Sequence, residues 1–271
     1  MNVNLATAFD AIAETDPLVN AITNAVTVND VANATLFWGG LPVMSDDEND
    51  VVDMVAGADG LLLNMGTTDE TGVATMLAAG RSAIEHDVPI VLDPVGVGAT
   101  PARDETARRL TSELDVAVIN GNYGEITALA GQTADVRGVE SVGDYSDIAR
   151  DATAVAADTG AVVVASGPTD VVATADRAFE IETGHELMGQ FVGTGCMQGV
   201  TQAVFAAAVD TALDAVLAGT LAYGRAGERA AAGAYGEFDG PASYRTSFLD
   251  AIAGLDAAEA APDEPRVTEL R

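Results

Sequence analysis

The chain has 271 residues, 48% of them hydrophobic, enough for one large α/β domain or two small ones around a buried core. Its 42 acidic and 12 basic residues leave a formal charge of -30, a field that repels nucleic acid and anionic membrane surfaces and excludes both as partners. All twelve basic residues are arginine, so neither a P-loop lysine on phosphates nor a Schiff-base lysine can operate.

Acidic residues are spread through segments that otherwise read as ordinary helices, not blocked in one tail. This points to a cytosol rich in salt, because at molar ionic strength the Debye length is roughly 3 Å and self-repulsion is screened. One cysteine and two histidines allow no disulfide framework and too few soft ligands for a structural zinc site. The opening MNVNLATAFDAIAETDPL has no positive region followed by an apolar core, and no stretch approaches the ~20 apolar residues of a membrane span. A cytoplasmic location is expected.

In chain order, the pattern predicts a strand over Gly60 to Gly66 (GLLLNMG) and a helix to about His86, then a strand over Pro89 to Gly96 (PIVLDPVG) and a helix from Pro101. Val116 to Asn122 (VAVINGN) and Ala161 to Gly167 (AVVVASG) are further strands with a helix between them. Near-continuous apolar strands alternating with helices predict a mostly parallel sheet covered on both faces. Asp170 to Gly184 alternates as a hairpin does, and from Gly193 the chain is Ala-rich and helical. With no repeat or linker, residues 1–256 read as one domain, and the acidic, Pro-containing residues 257–271 as a tail expected to fray.

The run GQFVGTGCMQG, Gly189 to Gly199, places small residues before a long helix and so presents unpaired backbone N–H groups to an anion. It comes too late in the chain for a dinucleotide fingerprint, which belongs to a first βα turn. Asp93, in VLDPVGVGATP, and Glu125, in INGNYGEI, fall just beyond strand ends, where open α/β sheets bind ligands. Singly, Asp93 also fits a turn before Pro94 and Glu125 a first-turn helix acid. Together they suit magnesium, which takes one or two protein carboxylates beside substrate phosphates.

From about Pro17 to Leu255 the ordered segments PLVNAITNAVTVNDVANATLFWGGLPVMS, LNMGTTDE, VPIVLDPVGVGATPAR, INGNYGEI and GTGC resemble the hydroxyethylthiazole kinase family. The resemblance implies a ribokinase-like three-layer α/β/α fold and transfer of the ATP γ-phosphoryl group to the primary alcohol of 4-methyl-5-(2-hydroxyethyl)thiazole. It also implies magnesium, and trimers with active sites at subunit interfaces. Carried onto this chain, it places substrate contacts at Met44, Gly193 and Asn24, nucleotide contacts at Asn120, Ser166, Thr194 and Gly195, metal at Asp93 and Glu125, and the catalytic position at Cys196. By their residues alone, Met44 fits core packing and Asn24 a turn or cap equally well.

Two departures stand out. Asn120-Gly121-Asn122 replaces an Arg-Gly-Asn in which the arginine contacts ATP, with Arg137 near a position that is basic in relatives; Thr194 replaces a more usual alanine. Cys196 stands where most ribokinase-like enzymes carry an aspartate, which argues against the hydroxymethylpyrimidine kinases and nucleotide-hydrate dehydratases of that fold. At a helix N-terminus its thiol is expected to be partly ionised near neutral pH. A catalytically silent sensor of thiazole or nucleotide is the alternative that Asn120 keeps open. His86 at a helix end and His185 in a turn do not suggest a Cys-His hydrolase.

The charge makes a direct prediction. Melting temperature and activity should rise steeply between very low and molar potassium chloride; equal melting at both would contradict the salt-adapted reading.

Overall fold

Alternation of apolar residues along the central strands feeds two separate cores, and the helices follow from it. The computed structural model describes residues 3–132, 136–137, 140–141, 145–261 and 266–270. The chain opens with α1 (Leu5–Thr15), β1 (Leu18–Ile22), α2 (Val28–Phe37) and β2 (Leu41–Val43). It then alternates through α3 (Val51–Ala56), β3 (Gly60–Asn64), α4 (Glu70–Glu85), β4 (Ile90–Asp93), α5 (Pro101–Glu113), β5 (Val118–Asn122) and α6 (Tyr123–Leu129). A side ribbon of β6 (Val136–Arg137) and β7 (Glu140–Ser141) precedes α7 (Ile148–Thr159), β8 (Val162–Ser166) and the expected hairpin, β9 (Asp170–Ala173) with β10 (Ala178–Ile181). A 3-10 turn (Glu186–Gln190) leads to α8 (Thr194–Ala208), α9 (Ala212–Ala231), α10 (Pro241–Gly254), α11 (Ala257–Ala260) and β11 (Val267–Glu269).

Nine strands form one sheet in the order β11-β10-β9-β8-β5-β4-β3-β1-β2. The pairs from β2 through β8 are parallel, and β9, β10 and β11 close one edge in antiparallel pairing. Leu62, Val91 and Val118 point into a core shared with α1, α2, α8, α9 and α10, while Leu61, Leu63, Ile90, Leu92 and Ile119 point into the other core beneath α3 to α7. Period-two side-chain direction thus makes both faces apolar, and helices must cover both. The result is the expected three-layer α/β/α architecture.

α8 lies on the first face, and an aromatic cluster fixes it there. Phe9, Trp38 and Phe205 meet edge to face or tilted with centroids 5.6–6.1 Å apart, and the Trp38 indole N–H donates to Thr201 Oγ1 at 2.8 Å. Burying the indole therefore leaves no unsatisfied donor.

The tail departs from expectation. Instead of fraying, Val267–Glu269 adds an edge strand to β10, with Val267 only 2% exposed opposite Ile181 and Glu269 paired to Arg177 at 2.8 Å. Its composition reads as a tail, but β10 offers an open edge whose N–H and C=O groups need partners. Strands β1 and β2 were also not predicted; β2 spans three residues at the far edge, too few for a periodic signal.

Candidate active site

The parallel strands end on one cleft of about 1320 Å³, room for a nucleotide beside a small alcohol. Asn64 ends β3, Asp93 ends β4, Asn122 ends β5 and Ser166 ends β8, so the topology alone brings polar groups from distant segments to one rim. Asn24 follows β1 closely. Its Nδ2 reaches Thr27 Oγ1 at 2.8 Å, Asn64 Oδ1 at 3.1 Å and Cys196 Sγ at 3.4 Å. Asn64 Nδ2 in turn donates to Asp93 Oδ2 at 2.5 Å.

Glu125 is the third residue of α6, and both sequence readings of it hold at once. It completes a capping box: Asn122 Oδ1 accepts from the Glu125 N–H at 3.0 Å, and Glu125 Oε2 accepts from the Asn122 N–H at 2.8 Å. Its other oxygen, Oε1, accepts from the Gly96 N–H at 2.7 Å, which leaves lone pairs facing the cleft.

α8 begins on the same cleft. Gly193 adopts φ +107°, a conformation that favours glycine, and a Cβ there would lie 3.1 Å from Thr27 Cγ2. No side chain among the described residues caps α8, so the N–H groups of Thr194, Gly195 and Cys196 are left for an anion, as the sequence predicts. Tyr223 holds this turn from behind, its hydroxyl donating to Thr194 O at 2.7 Å. Asn120 Nδ2 donates to Gly195 O at 3.4 Å, while the buried Asn120 Oδ1 has no hydrogen-bond partner among the described residues. Ser166 Oγ donates to Gly121 O at 3.3 Å.

Electrostatically the cleft is an acid-lined box. Among the described residues no arginine lines it, whereas Asp93, Glu125 and Asp170 all contribute to its wall. Burial raises Asp93 well above the usual carboxylate range and the neighbouring Glu125 charge adds to it, with the Asn64 amide opposing. Glu125 is pushed up to about 7 by burial, against the Gly96 and Asn122 N–H bonds and the nearby Arg103 charge. Cys196 corrects an expectation: burial and then the Asp93 charge push its thiol up to about 11, outweighing the hydrogen bonds from Thr27, Asn64 and Asn24. The helix N-terminus does not make it a thiolate; Cys196 is a neutral thiol at physiological pH.

Nine of the ten residues singled out in the sequence, Asn24, Asp93, Asn120, Glu125, Ser166, Gly193, Thr194, Gly195 and Cys196, line this cleft. Met44 does not. It follows edge strand β2, half-buried against the first core, beside Ser45, whose N–H and C=O are both bonded to the Asn20 side chain. The Arg137 side chain lies outside the described residues. His86 closes α4 with Nδ1 2.8 Å from Ser82 O, and His185 Nδ1 accepts from the Leu187 N–H, so neither is bonded to Cys196. Sequence reasoning missed Asn64, Thr27, Asp170 and Tyr223. Asn64 carried a signal, a polar residue ending an apolar strand; Tyr223 carried none.

Solved structures at low identity match the fold. A ribokinase-like superfamily protein from Enterococcus faecalis aligns with TM-score 0.63 and 13% identity over 92% of this chain and 90% of its own. Pyridoxal kinase from Staphylococcus aureus in complex with AMP-PCP and pyridoxal gives 0.58 and 14% over 78% and 87%. The architecture is therefore that of the ribokinase-like class. Within it, the hydroxyethylthiazole kinase family model matches residues 9–258, and the chain belongs to that family. Hydroxyethylthiazole kinase of Natronomonas pharaonis is 62% identical over 97% of this chain and 94% of its own length, and that of Haloquadratum walsbyi 57% over 94% and 88%. The structure of hydroxyethylthiazole kinase from Pyrococcus horikoshii superposes with TM-score 0.86 at 32% identity, over 98% of this chain and 99% of that one.

Asp170 gives a pH prediction. Its carboxyl accepts from the Gly167 N–H and the Gln198 amide, but burial wins and pushes it to about 7. Tyr123 and Tyr223, which face it, are both raised by burial first and stay neutral in this range. The folded state thus binds a proton that the unfolded chain, at about 3.9, has lost, so stability falls as pH rises through roughly 4 to 7. Asp170→Asn should flatten that slope and melt several degrees higher than wild type at pH 8 but not at pH 4.5; parallel curves would contradict the assignment.

Proposed function

We propose that this chain transfers the γ-phosphoryl group of ATP to the primary alcohol of 4-methyl-5-(2-hydroxyethyl)thiazole, in a salt-rich cytoplasm. The observation that carries the reading is the meeting of an uncapped helix N-terminus, Gly193 to Cys196, with the buried acids Asp93 and Glu125 in one cleft. The relatives' shared name supplies the acceptor. In the described residues no helix is long and apolar enough to cross a membrane.

Magnesium fits the residues present. The candidate ligands, the carboxyl groups of Asp93 and Glu125, are hard oxygens that line the cleft, and magnesium takes one or two protein carboxylates beside substrate phosphates. Asp93 and Glu125 would hold it, and bound there it would supply positive charge to the phosphates. The α8 N–H groups receive the charge of the transferring phosphoryl group, in a setting where preorganised donors need not reorient. Gly193 and Thr194 place that group; Asn24 and Cys196 meet the alcohol. Asn120 Oδ1, without a partner among the described residues, accepts a hydrogen bond from the nucleotide. Ser166, at the end of β8, contacts the nucleotide.

Association as trimers is part of the proposal. α2 and β2 leave Val28, Leu36 and Leu41 40–53% exposed at the β2 edge, an apolar surface that a neighbouring subunit covers. Met44 lies at the same edge, and packing there gives it a route to a neighbouring cleft.

The neutral thiol sharpens what Cys196 does. Phosphoryl transfer passes through a loose transition state, so the alcohol needs little deprotonation until the bond to the leaving group has weakened. A neutral thiol can orient that alcohol by hydrogen bonding, while the alcohol proton passes to an oxygen of the transferred phosphoryl group as the bond to the leaving group breaks. Cys196→Ala should therefore lower turnover by about 10²-fold or less without abolishing it, and Cys196→Asp, a carboxyl raised towards neutrality by the same burial, should retain or raise it. Product formation at molar potassium chloride with saturating thiazole and ATP-magnesium checks this for all three proteins, with melting curves beside them. Thermal stabilisation of wild type by both ligands without phosphorylated product would instead support the silent sensor; a folded, inactive Asp variant with a fully active Ala variant would remove Cys196 from the chemistry.

A further inference from the structure

Arg103 stands behind the cleft wall in the first turn of α5, with three backbone carbonyls on its guanidinium. Nη1 donates to Val95 O at 2.6 Å and Met65 O at 3.1 Å, and Nη2 donates to Gly66 O at 2.8 Å. These carbonyls belong to the loops that follow β3 and β4. Each loop then runs on to a different acid. On the β3 side, the Gly66 N–H donates to Asn64 Oδ1 at 3.0 Å, and Asn64 Nδ2 donates to Asp93 Oδ2 at 2.5 Å. On the β4 side, the N–H of Gly96, next to Val95, donates to Glu125 Oε1 at 2.7 Å.

We propose that Arg103 is the positioning residue for the acid pair: one guanidinium, by clasping the β3 and β4 loops, sets Asp93 and Glu125 in the arrangement that receives a divalent cation. This rests on the reading of those two acids as the metal site.

Three features support it. The guanidinium is a planar fork with donors in fixed directions, able to hold several carbonyls in register in a way that a flexible ammonium cannot. The two loops also carry glycine where they are most crowded: a Cβ on Gly96 would lie 3.1 Å from Arg103 Cδ, and one on Gly66 would lie 2.9 Å from Asn24 Cβ. Finally, Arg103 is set apart by its partners. Arg81, Arg108, Arg109, Arg150, Arg177, Arg225, Arg229 and Arg245 each form an ion pair with a carboxylate; among the described residues only Arg103 and Arg266 have carbonyl partners alone, and Arg103 holds three carbonyls against the single Glu182 carbonyl on Arg266.

The test compares wild type, Arg103→Met and Arg103→Lys as full chains in molar potassium chloride, each with a melting curve. Magnesium binding is read by calorimetry in the presence of ADP, and the magnesium half-saturation of phosphoryl transfer is read separately. Loss of an outer-shell partner commonly weakens metal affinity about 10–100-fold, so Arg103→Met should bind magnesium at least about tenfold more weakly by both readouts. Arg103→Lys, which keeps the charge but not the fork, should be weakened at least about threefold. The KM for the thiazole alcohol should move less than about twofold, because the clasp acts on the acids and not on the acceptor. Unchanged magnesium affinity in a folded Arg103→Met, or full affinity in Arg103→Lys, overturns the proposal, and so does an acceptor KM that rises as much as the magnesium constant. If Arg103→Met does not fold, Arg103→Lys decides. A wild type that binds magnesium with ADP but makes no thiazole phosphate refutes the proposed reaction while calorimetry still measures the clasp; a wild type that makes product, with variants of unaltered magnesium affinity, refutes the clasp alone.

Discussion

Two neighbouring buried carboxyl groups, Asp93 and Glu125, with no arginine among the described residues lining their cleft, are the constraint around which the site is organised. Buried like charges repel and resist ionisation, so hydrogen-bond donors hold each acid in place. Asn64 supplies one to Asp93, and the Gly96 and Asn122 N–H groups supply two to Glu125. These donors fix geometry but bring no whole positive charge. In the same cleft, the α8 N-terminus presents N–H groups that favour an anion. A divalent cation with its phosphates satisfies both sides at once, which is why the acids and the anion turn read as halves of one site.

The packing of α8 makes that arrangement possible. The helix crosses the sheet so closely that a Cβ on Gly199 would lie 3.3 Å from Asp93 Oδ2, and glycine at this point allows the approach. Its first turn is gripped at two places, by the Thr27 contact under Gly193 and by the Tyr223 hydroxyl on Thr194 O. Asp30, another group at this turn, is paired with Arg245 of α10, so the turn's underside is neutralised from outside the cleft. The same closeness explains the chemistry of Cys196. Burial and Asp93 keep its thiol protonated despite the helix N-terminus, a case where desolvation exceeds the favourable field of backbone dipoles.

Legibility from sequence followed the physics of each feature. Strands β3, β4, β5 and β8 were readable because burial on both faces makes them continuous apolar runs, and the α8 turn because only small residues allow its conformation. Asp93 and Glu125 were readable because strand ends are where such sheets place chemistry. Edge elements were not: β2 is too short to show a period, and β11 is a strand only because β10 offers it an edge. Arg103 lay in view within DPVGVGATPAR, but its three carbonyl partners belong to loops that only the fold brings together. Met44 is legible as a family position, yet a single chain leaves it away from the cleft. The ionisation of Cys196 was misjudged because sequence shows the helix start but not the burial around it.

We propose that Asp93 and Glu125 form one cation site beside the α8 N-terminus. Anomalous diffraction from crystals grown in potassium chloride with ADP and manganese, a scattering substitute for magnesium, tests it most directly. The account predicts an anomalous peak between the two carboxylates, bound directly or through ordered water, on the side facing Gly193 to Cys196. Bound ADP with the metal peak elsewhere, or with no metal peak near either acid, would contradict it.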